Sequence, residues 1–178
     1  DAKMKPLFTS MESAQTKLKH QFGDPGSFDV VIQNVYVKQL PTLIVYISGL
    51  VQNESITIML ANLQHSNTPL TTTTNDPQYF TSRFNYHGLQ PIDDFDDLLL
   101  AVLSGRVVFV TEHGYAYGAE FRQYPGRNPE EPDNEKVIRG SRDGFAENII
   151  INAALIRRRI RTPELRIELQ QLTTVSKM

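Results

Sequence analysis

Residues 28–51 read FDVVIQNVYVKQLPTLIVYISGLV and contain two segments typical of β-strands. Segments 28–37 and 42–51 are rich in β-branched and aromatic residues, and Pro41 separates them. Such side chains favour extended backbone packed within a sheet. The pattern therefore predicts two strands that are buried mostly on both faces.

Helical signals lie on both sides of these strands. Upstream, Ser10 is a candidate N-cap and Gly23 a helix stop, with apolar residues between them at Met11, Leu18 and Phe22. Downstream, Asn53 is placed to cap a helix over ESITIMLANLQ, in which Ile56, Met59, Leu60 and Leu63 recur at helical spacing. Strands followed by a helix of this kind predict an α/β layer.

Further along the chain, residues 66–90 are polar and threonine-rich, which predicts a mobile excursion. The stretch DDFDDLLLAVLSG (93–105) then predicts a helix that begins with acids and ends at Gly105. After it, RVVFVTEHGYAYGAEF (106–121) predicts a hairpin of two strands that turns near His113 and Gly114.

A segment rich in proline and acids, residues 124–135, predicts a linker. The expected fold class is mixed α+β, with two small α/β subdomains. The first spans residues 1–123. The second spans 136–178, contains one long helix and a strand over 164–172, and is incomplete in this chain.

The long helix is expected over 143–160, with acids near its start, arginines in its last turn and Pro163 beyond. At 100° per residue, one apolar face is expected in the core and consists of Phe145, Ile149, Ile156 and Ile160. Ile151 and Leu155 form a second apolar strip, and a polar line lies between the two: Asn148, Asn152 and Arg159. This line either satisfies backbone groups in a packed interior or faces a cleft or another subunit.

Two further arginines, Arg157 and Arg158, are expected on the opposite, wetter face of this helix. They either complete a solvated helix end or meet a protein or phosphate-bearing partner. Before the helix, VIRGSRDG places Arg139 and Arg142 among glycines, which suggests an anion-binding loop. The spacing does not match a phosphate-loop motif, so a turn with arginines paired to nearby acids is favoured.

Composition excludes several classes of protein. The chain of 178 residues has a formal net charge of -2 and no cysteine, so disulfides and thiolate metal sites are excluded. No apolar run reaches the roughly 18–20 residues of a membrane span, and a soluble chain is expected. The arginine-rich helix has neither a helix-turn-helix partner nor interleaved aromatics, so nucleic-acid binding is not predicted.

Chemistry-bearing motifs are absent from the sequence. The aspartates at 93, 94, 96 and 97 lack the pattern of a calcium loop, and the four histidines are scattered. No serine lies in GxSxG. The sequence therefore predicts no metal, no cofactor and no enzyme.

One stretch resembles a known family. EEPDNEKVIRGSRDGFAENIIINAALIRRRI (130–160) is similar to the spore germination receptor A subunits of the GerA family. Weaker likeness in VYISGLV and LLAVLSGRVVFVTEHGYA extends the resemblance over most of the chain outside 66–90. Two departures from the family pattern are Ser141 in place of proline and Asp143 in place of glutamate.

The resemblance implies an N-terminal domain on the cytoplasmic, spore-core side of the spore inner membrane, with membrane helices outside this chain. The implied partners are germinant receptor B and C subunits and other A subunits, and the implied role is assembly and signal transduction. The alternative is a module that binds a small-molecule germinant, an amino acid or sugar, between the subdomains. Residues carried over as candidates for the interface or the ligand are Arg139, Arg142, Glu147, Asn148, Asn152, Arg157, Arg158 and Arg159.

Overall fold

The computed structural model describes residues 5–64, 89–121 and 143–172. Its first elements are α1 (Met11–Phe22), β1 (Val30–Val37), β2 (Leu40–Ile47), a short 3-10 helix (Ser48–Leu50) and α2 (Asn53–Gln64). They are followed by β3 (Gln90–Ile92), α3 (Phe95–Leu103), β4 (Arg106–Thr111), β5 (Ala116–Glu120) and α4 (Asp143–Arg159). The mixed α/β class expected from the sequence is confirmed.

The five strands form one antiparallel sheet in the order β1-β2-β4-β5-β3. Helices α1 and α3 cover one face, where Leu18 and Leu98 pack with Val45 and Val108. Helix α2 covers the other face through Ile56 and Met59. The sheet therefore has a hydrophobic core on each side, as the alternation of side chains along a strand requires.

The first hairpin differs from its prediction in two respects. Its turn is at Lys38 and Gln39, both with positive φ, as a two-residue hairpin turn of type I′ requires. Pro41 lies within β2, before the residues of β2 that pair with β4, so no bond to β4 requires its missing N–H. Strand β1 is at the edge of the sheet and partly exposed, so the expectation that both of its faces are mostly buried is wrong.

Capping and turn residues predicted α1, α3 and the β4–β5 hairpin. Ser10 caps α1 by accepting a hydrogen bond from the Ser13 amide at 3.1 Å, and Gly23 ends that helix with φ +98°. Asp94 caps α3, and the β4–β5 turn contains His113 and Gly114. These parts of the prediction are confirmed. The expected excursion, residues 66–90, lies outside the described residues except for 89 and 90. The expected linker, residues 124–135, lies wholly outside them.

The expected strand over 164–172 is wrong. Residues 160–172 contain no helix or strand. This segment contacts the turn before β1 at single points: the Phe28 amide donates to the Ile167 carbonyl at 3.1 Å, and the Ile167 amide donates to the Ser27 hydroxyl. Because no further ladder bonds follow, the segment lies beside the sheet without joining it.

Among residues 5–64, 89–121 and 143–172, every helix is too short or too polar to span a membrane. The same residues hold no cluster of three or more histidine, aspartate or glutamate side chains that could bind a metal ion.

Candidate functional site

Helix α4 carries most of the candidate residues, and along 148–159, where its side chains are described, the fully buried positions are two alanines and one arginine. Ala153, Ala154 and Arg157 are buried, and the Arg157 side chain has no exposed surface. The expectation that Arg157 lies on a wet face is therefore wrong. Its apolar neighbours in sequence could not reveal this, because the group that makes burial of the arginine tolerable is far away in the chain.

That group is Asp29, which stands immediately before β1. Nε of Arg157 donates to Oδ2 of Asp29 at 2.8 Å, and Nη2 donates to Oδ1 at 2.9 Å. The Asp29 side chain is 1% exposed, so both charges are out of water. A guanidinium and a carboxylate joined by two parallel bonds form a strong pair that also fixes the relative orientation of the groups.

Asp29 is itself held by the backbone around it. Its carbonyl accepts a hydrogen bond from the Ser48 amide at 2.8 Å, which ties the start of β1 to the 3-10 helix after β2. The carboxylate that receives Arg157 is thus presented from a rigid corner of the sheet. Sequence reasoning missed Asp29, and the available signal was weak: a single acid between Phe28 and Val30 at the entrance to an apolar run.

Helix α4 approaches the 3-10 helix closely at Gly49. A Cβ atom at position 49 would lie 2.9 Å from the Cβ of Ala154 and 2.9 Å from the carbonyl oxygen of Ile150. Real Cβ contacts are essentially never that short, so the absence of a side chain at Gly49 lets α4 sit where Arg157 reaches Asp29.

Replacing Gly49 by alanine is expected to push α4 outward and lower the free energy of unfolding by about 1–3 kcal/mol, as overpacking of a tight contact does. Urea unfolding measures this loss. The matched variant is Ala154→Gly, and the double variant should lose less stability than the two single losses added together, because one of the two close contacts is then gone. Unchanged stability in Gly49→Ala would contradict the described packing.

The segment after α4 contacts the neighbouring turn between α1 and β1. Nη2 of Arg166 donates to the carbonyl of Gln21 at 3.1 Å, at the end of α1. The guanidinium of Arg166 also lies against Gly23, where any Cβ would overlap it. Helix α4 and the residues after it are therefore positioned by the turn between α1 and β1.

The outward side of α4 is apolar and basic. Four large aliphatic side chains are 43–50% exposed on it: Ile151, Leu155, Ile156 and Ile160. The expected core face of this helix is wrong, because Ile156 and Ile160 are exposed and Ile149 is only half-buried. The physical reason lies on the other side of the helix. The bond of Arg157 to Asp29 fixes which side of the helix faces the sheet, and Ile156 and Ile160 are then turned towards solvent.

The polar line predicted for this helix lies on the outward side as well. Asn148, Asn152 and Arg159 are exposed, so the interpretation that they are in a packed interior is wrong. Arg158 is half-buried. Arg139, Arg142 and the side chain of Glu147 are outside the described residues.

The electrostatics of the outward side follow from the sequence and the ion pair together. No acid occurs between Glu147 and Glu164, while arginine occupies positions 157, 158, 159 and 161. Asp29 pairs with Arg157. Arg159 is exposed on the outward side of the helix and adds a positive charge next to exposed aliphatic groups.

Comparison with known proteins gives the family. Residues 16–178 match the family described as Bacillus/Clostridium GerA spore germination protein. The chain belongs to the GerA family. The resemblance seen in the sequence is thereby confirmed.

Two relatives from Bacillus subtilis (strain 168) show how much of the family protein this chain represents. Stage V sporulation protein AF is 35% identical over 160 residues, which cover 89% of this chain and 32% of that protein. Spore germination protein KA is 25% identical over 170 residues, 93% of this chain and 31% of that protein. The GerA-family chain described here spans about a third of the length of these relatives.

A solved structure has the same fold. The N-terminal domain of the A subunit of the Bacillus megaterium spore germinant receptor GerK3 superposes with a TM-score of 0.65 at 23% sequence identity. The superposition covers 98% of this chain and 64% of that one. The names of the relatives place the family in sporulation and germination, and neither names an enzyme.

Proposed function

We propose that this GerA-family chain is part of the N-terminal domain of a germination receptor A subunit, and that it acts in receptor assembly and signal transduction during spore germination. The observation that carries the proposal is the outward side of α4. This helix buries alanines and a paired arginine while it exposes Ile151, Leu155, Ile156 and Ile160. A helix with its larger apolar residues outside offers surface to another protein.

The composition of this outward side also supports a protein partner. Protein interfaces are enriched in arginine, methionine and aromatic residues, and depleted in lysine, glutamate and aspartate, relative to the rest of the surface. Along the described part of α4, the outward side combines aliphatic residues with Asn148, Asn152 and Arg159 and contains no lysine or acid. Amides and a guanidinium give directional hydrogen bonds, which would set the orientation of the partner.

On this proposal the partners are the receptor B and C subunits or other A subunits, and the domain stands on the core side of the spore inner membrane. Arg139 and Arg142 precede the helix in sequence and Glu147 lies within it; all three belong to the proposed interface. Arg157 contributes indirectly, since its guanidinium is buried against Asp29.

The germinant-binding alternative requires a hollow between the subdomains. At the described junction Gly49 is in close contact with α4, and Asp29 fills the space beside Arg157. We therefore propose no small-molecule site at this junction. An amide NMR titration with amino acids and sugars tests this, because saturable shifts at residues 148–159 would reverse the choice.

Substitutions on the outward side of α4 are expected to block germination while leaving the fold intact. Leu155→Asp places a charge in the apolar strip, and Asn152→Ala or Arg159→Ala removes hydrogen-bonding groups. Because these side chains are exposed, unfolding stability should change by no more than about 0.5 kcal/mol. In spores that carry the full-length protein, germination rates should fall at least tenfold.

Leu100→Asp is the matched control, because Leu100 is a leucine on helix α3 that is 59% exposed. Its spores should germinate as the wild type does. Immunoblots of the spores confirm equal amounts of each variant. Normal germination of all three α4 variants at normal abundance would refute the proposed role of this surface.

A further inference from the structure

Along residues 148–159, the part of α4 whose side chains are described, the fully buried apolar groups are the methyls of Ala153 and Ala154. Burial of apolar surface stabilises a packed helix in proportion to the area removed from water, so two alanines contribute little. Ala154 belongs to a hydrophobic core cluster, and Ile149 and Ile150 are half-buried. Within this part of the helix, the ion pair between Asp29 and Arg157 is a specific polar contact that holds the helix in place.

The ion pair between Asp29 and Arg157 fixes the orientation of α4 as well as its distance from the sheet. Two parallel hydrogen bonds, at 2.8 and 2.9 Å, hold the guanidinium in the plane of the Asp29 carboxylate. Because the Arg157 side chain is fully buried and bound at its end, the pair restricts the rotation of α4 about its own axis, together with the close contact at Gly49. The rotation in turn decides that Leu155 and Asn152 face outward.

The docked position is also incompletely satisfied. Nη1 of Arg157 is buried and has no hydrogen-bond partner among residues 5–64, 89–121 and 143–172. A buried donor without an acceptor disfavours the state that contains it, whereas water would satisfy all three guanidinium nitrogens once α4 leaves the sheet. Docked α4 is thus favoured by a strong bidentate pair and opposed by an orphaned donor and four exposed aliphatic residues.

The sheet does not depend on α4 for its own core. One face is covered by Leu18 of α1 and Leu98 of α3, and the other by Ile56 and Met59 of α2. Loss of the α4 contacts removes Ala154 from the first cluster and leaves these other members in place. Movement of the helix and unfolding of the sheet are therefore separable events.

We infer that Asp29 and Arg157 are positioning residues for the outward face of α4, and that their pair is a latch between a docked helix and a released one. The pair touches no partner itself. It sets the orientation in which Asn152, Leu155 and Arg159 are presented. The use of that orientation in spores rests on the proposed function, but the latch itself does not.

Hydrogen exchange on the full chain of 178 residues tests the latch. Asp29→Asn keeps the size of the side chain but removes its charge and replaces one acceptor oxygen by a donor. Amides at 148–159 should exchange at least tenfold faster, while amides of β2 and β4 should change less than twofold. Arg157→Lys keeps the charge but cannot form both bonds, so its effect should be intermediate.

The control is Leu98→Ala, which weakens the core beneath α3 and leaves the pair untouched. It should accelerate exchange in the sheet more than in α4, because release of the helix does not require the sheet to unfold. The double variant Asp29→Leu with Arg157→Leu replaces the pair by apolar groups and should restore slow exchange in α4, as apolar replacement of buried ion pairs often preserves packing. Equal acceleration of helix and sheet in Asp29→Asn, or an unchanged helix, would overturn the latch.

The two proposals fail in different ways. If exchange behaves as expected but spores with Asn152→Ala and Arg159→Ala germinate normally, the latch stands and the assembly role falls. If those spores fail to germinate but Asp29→Asn leaves α4 protected, the outward surface stands and the latch falls.

Discussion

Phe109→Ala is expected to lower the free energy of unfolding by about 3–5 kcal/mol, the range for removal of a buried aromatic side chain. Phe109 is fully buried in β4, the middle strand of the sheet. It is paired with Ile44 on one side and Tyr117 on the other, and all three belong to the core beneath α2.

Urea unfolding followed by circular dichroism measures this loss. Tyr36→Ala is the control, since Tyr36 is 62% exposed on the edge strand and its removal should change stability by no more than about 0.5 kcal/mol. If Phe109→Ala does not fold, Phe109→Leu gives a smaller loss of the same sign. A loss below about 1 kcal/mol in the alanine variant would show that the core beneath α2 is not closely packed.

Gly114→Ala should be the second large destabilisation, at about 2–5 kcal/mol. Gly114 has φ +88°, which costs a residue with a side chain roughly 1–2 kcal/mol. A Cβ there would also overlap the carbonyl oxygen of Phe8. Backbone cannot rotate away as a side chain can, so the N-terminal segment must move, at an overpacking cost of about 1–3 kcal/mol.

That movement would break two hydrogen bonds. The amides of Leu7 and Phe8 donate to the carbonyl of Gly114 at 2.9 and 3.1 Å. Proteolysis near residues 5–10 should therefore become faster in Gly114→Ala, alongside the loss measured in urea. The exposed neighbour His113 supplies the control, because His113→Ala leaves the turn and both bonds in place. Equal effects of the two substitutions would contradict the described contact.

The elements that could be predicted from the sequence are those whose signals are local. Ser10 marks the start and Gly23 the end of α1, through hydrogen bonds to residues three or four positions away. Helix α3 starts at a run of acids. The β4–β5 hairpin followed from alternation and a glycine at its turn. In each case the residues that decide the structure lie within one turn of helix or one hairpin of one another.

The face that α4 turns inward could not be predicted, because its cause lies 128 residues away. Apolar periodicity alone favours burial of Ile156 and Ile160 over an arginine. That preference is reversed by a carboxylate already buried at Asp29, for which an unpaired state would be costly. The same limit applies to residues 164–172, whose alternating side chains suggested a strand but whose backbone has few partners in the sheet.

The site itself was predicted in part. Asn148, Asn152 and Arg159 were placed on one line by helical spacing, and they do share the outward side of α4. Their assignment to an interface stays a prediction. Arg157 was a candidate site residue because it was expected to be exposed to solvent, whereas it is buried. Asp29 was not among the candidates.

The distance between Asp29 and Arg157 along the chain has an evolutionary consequence. A change at either position alone strands a buried charge, so it should be selected against, whereas an exchange of both positions for apolar residues keeps the helix in place. Positions 29 and 157 should therefore vary together among GerA-family sequences. The aliphatic positions on the outside of α4 should instead vary together with positions in the chain that binds them. The two sides of this helix would therefore covary with different partners: the inner side with Asp29, and the outer side with another protein.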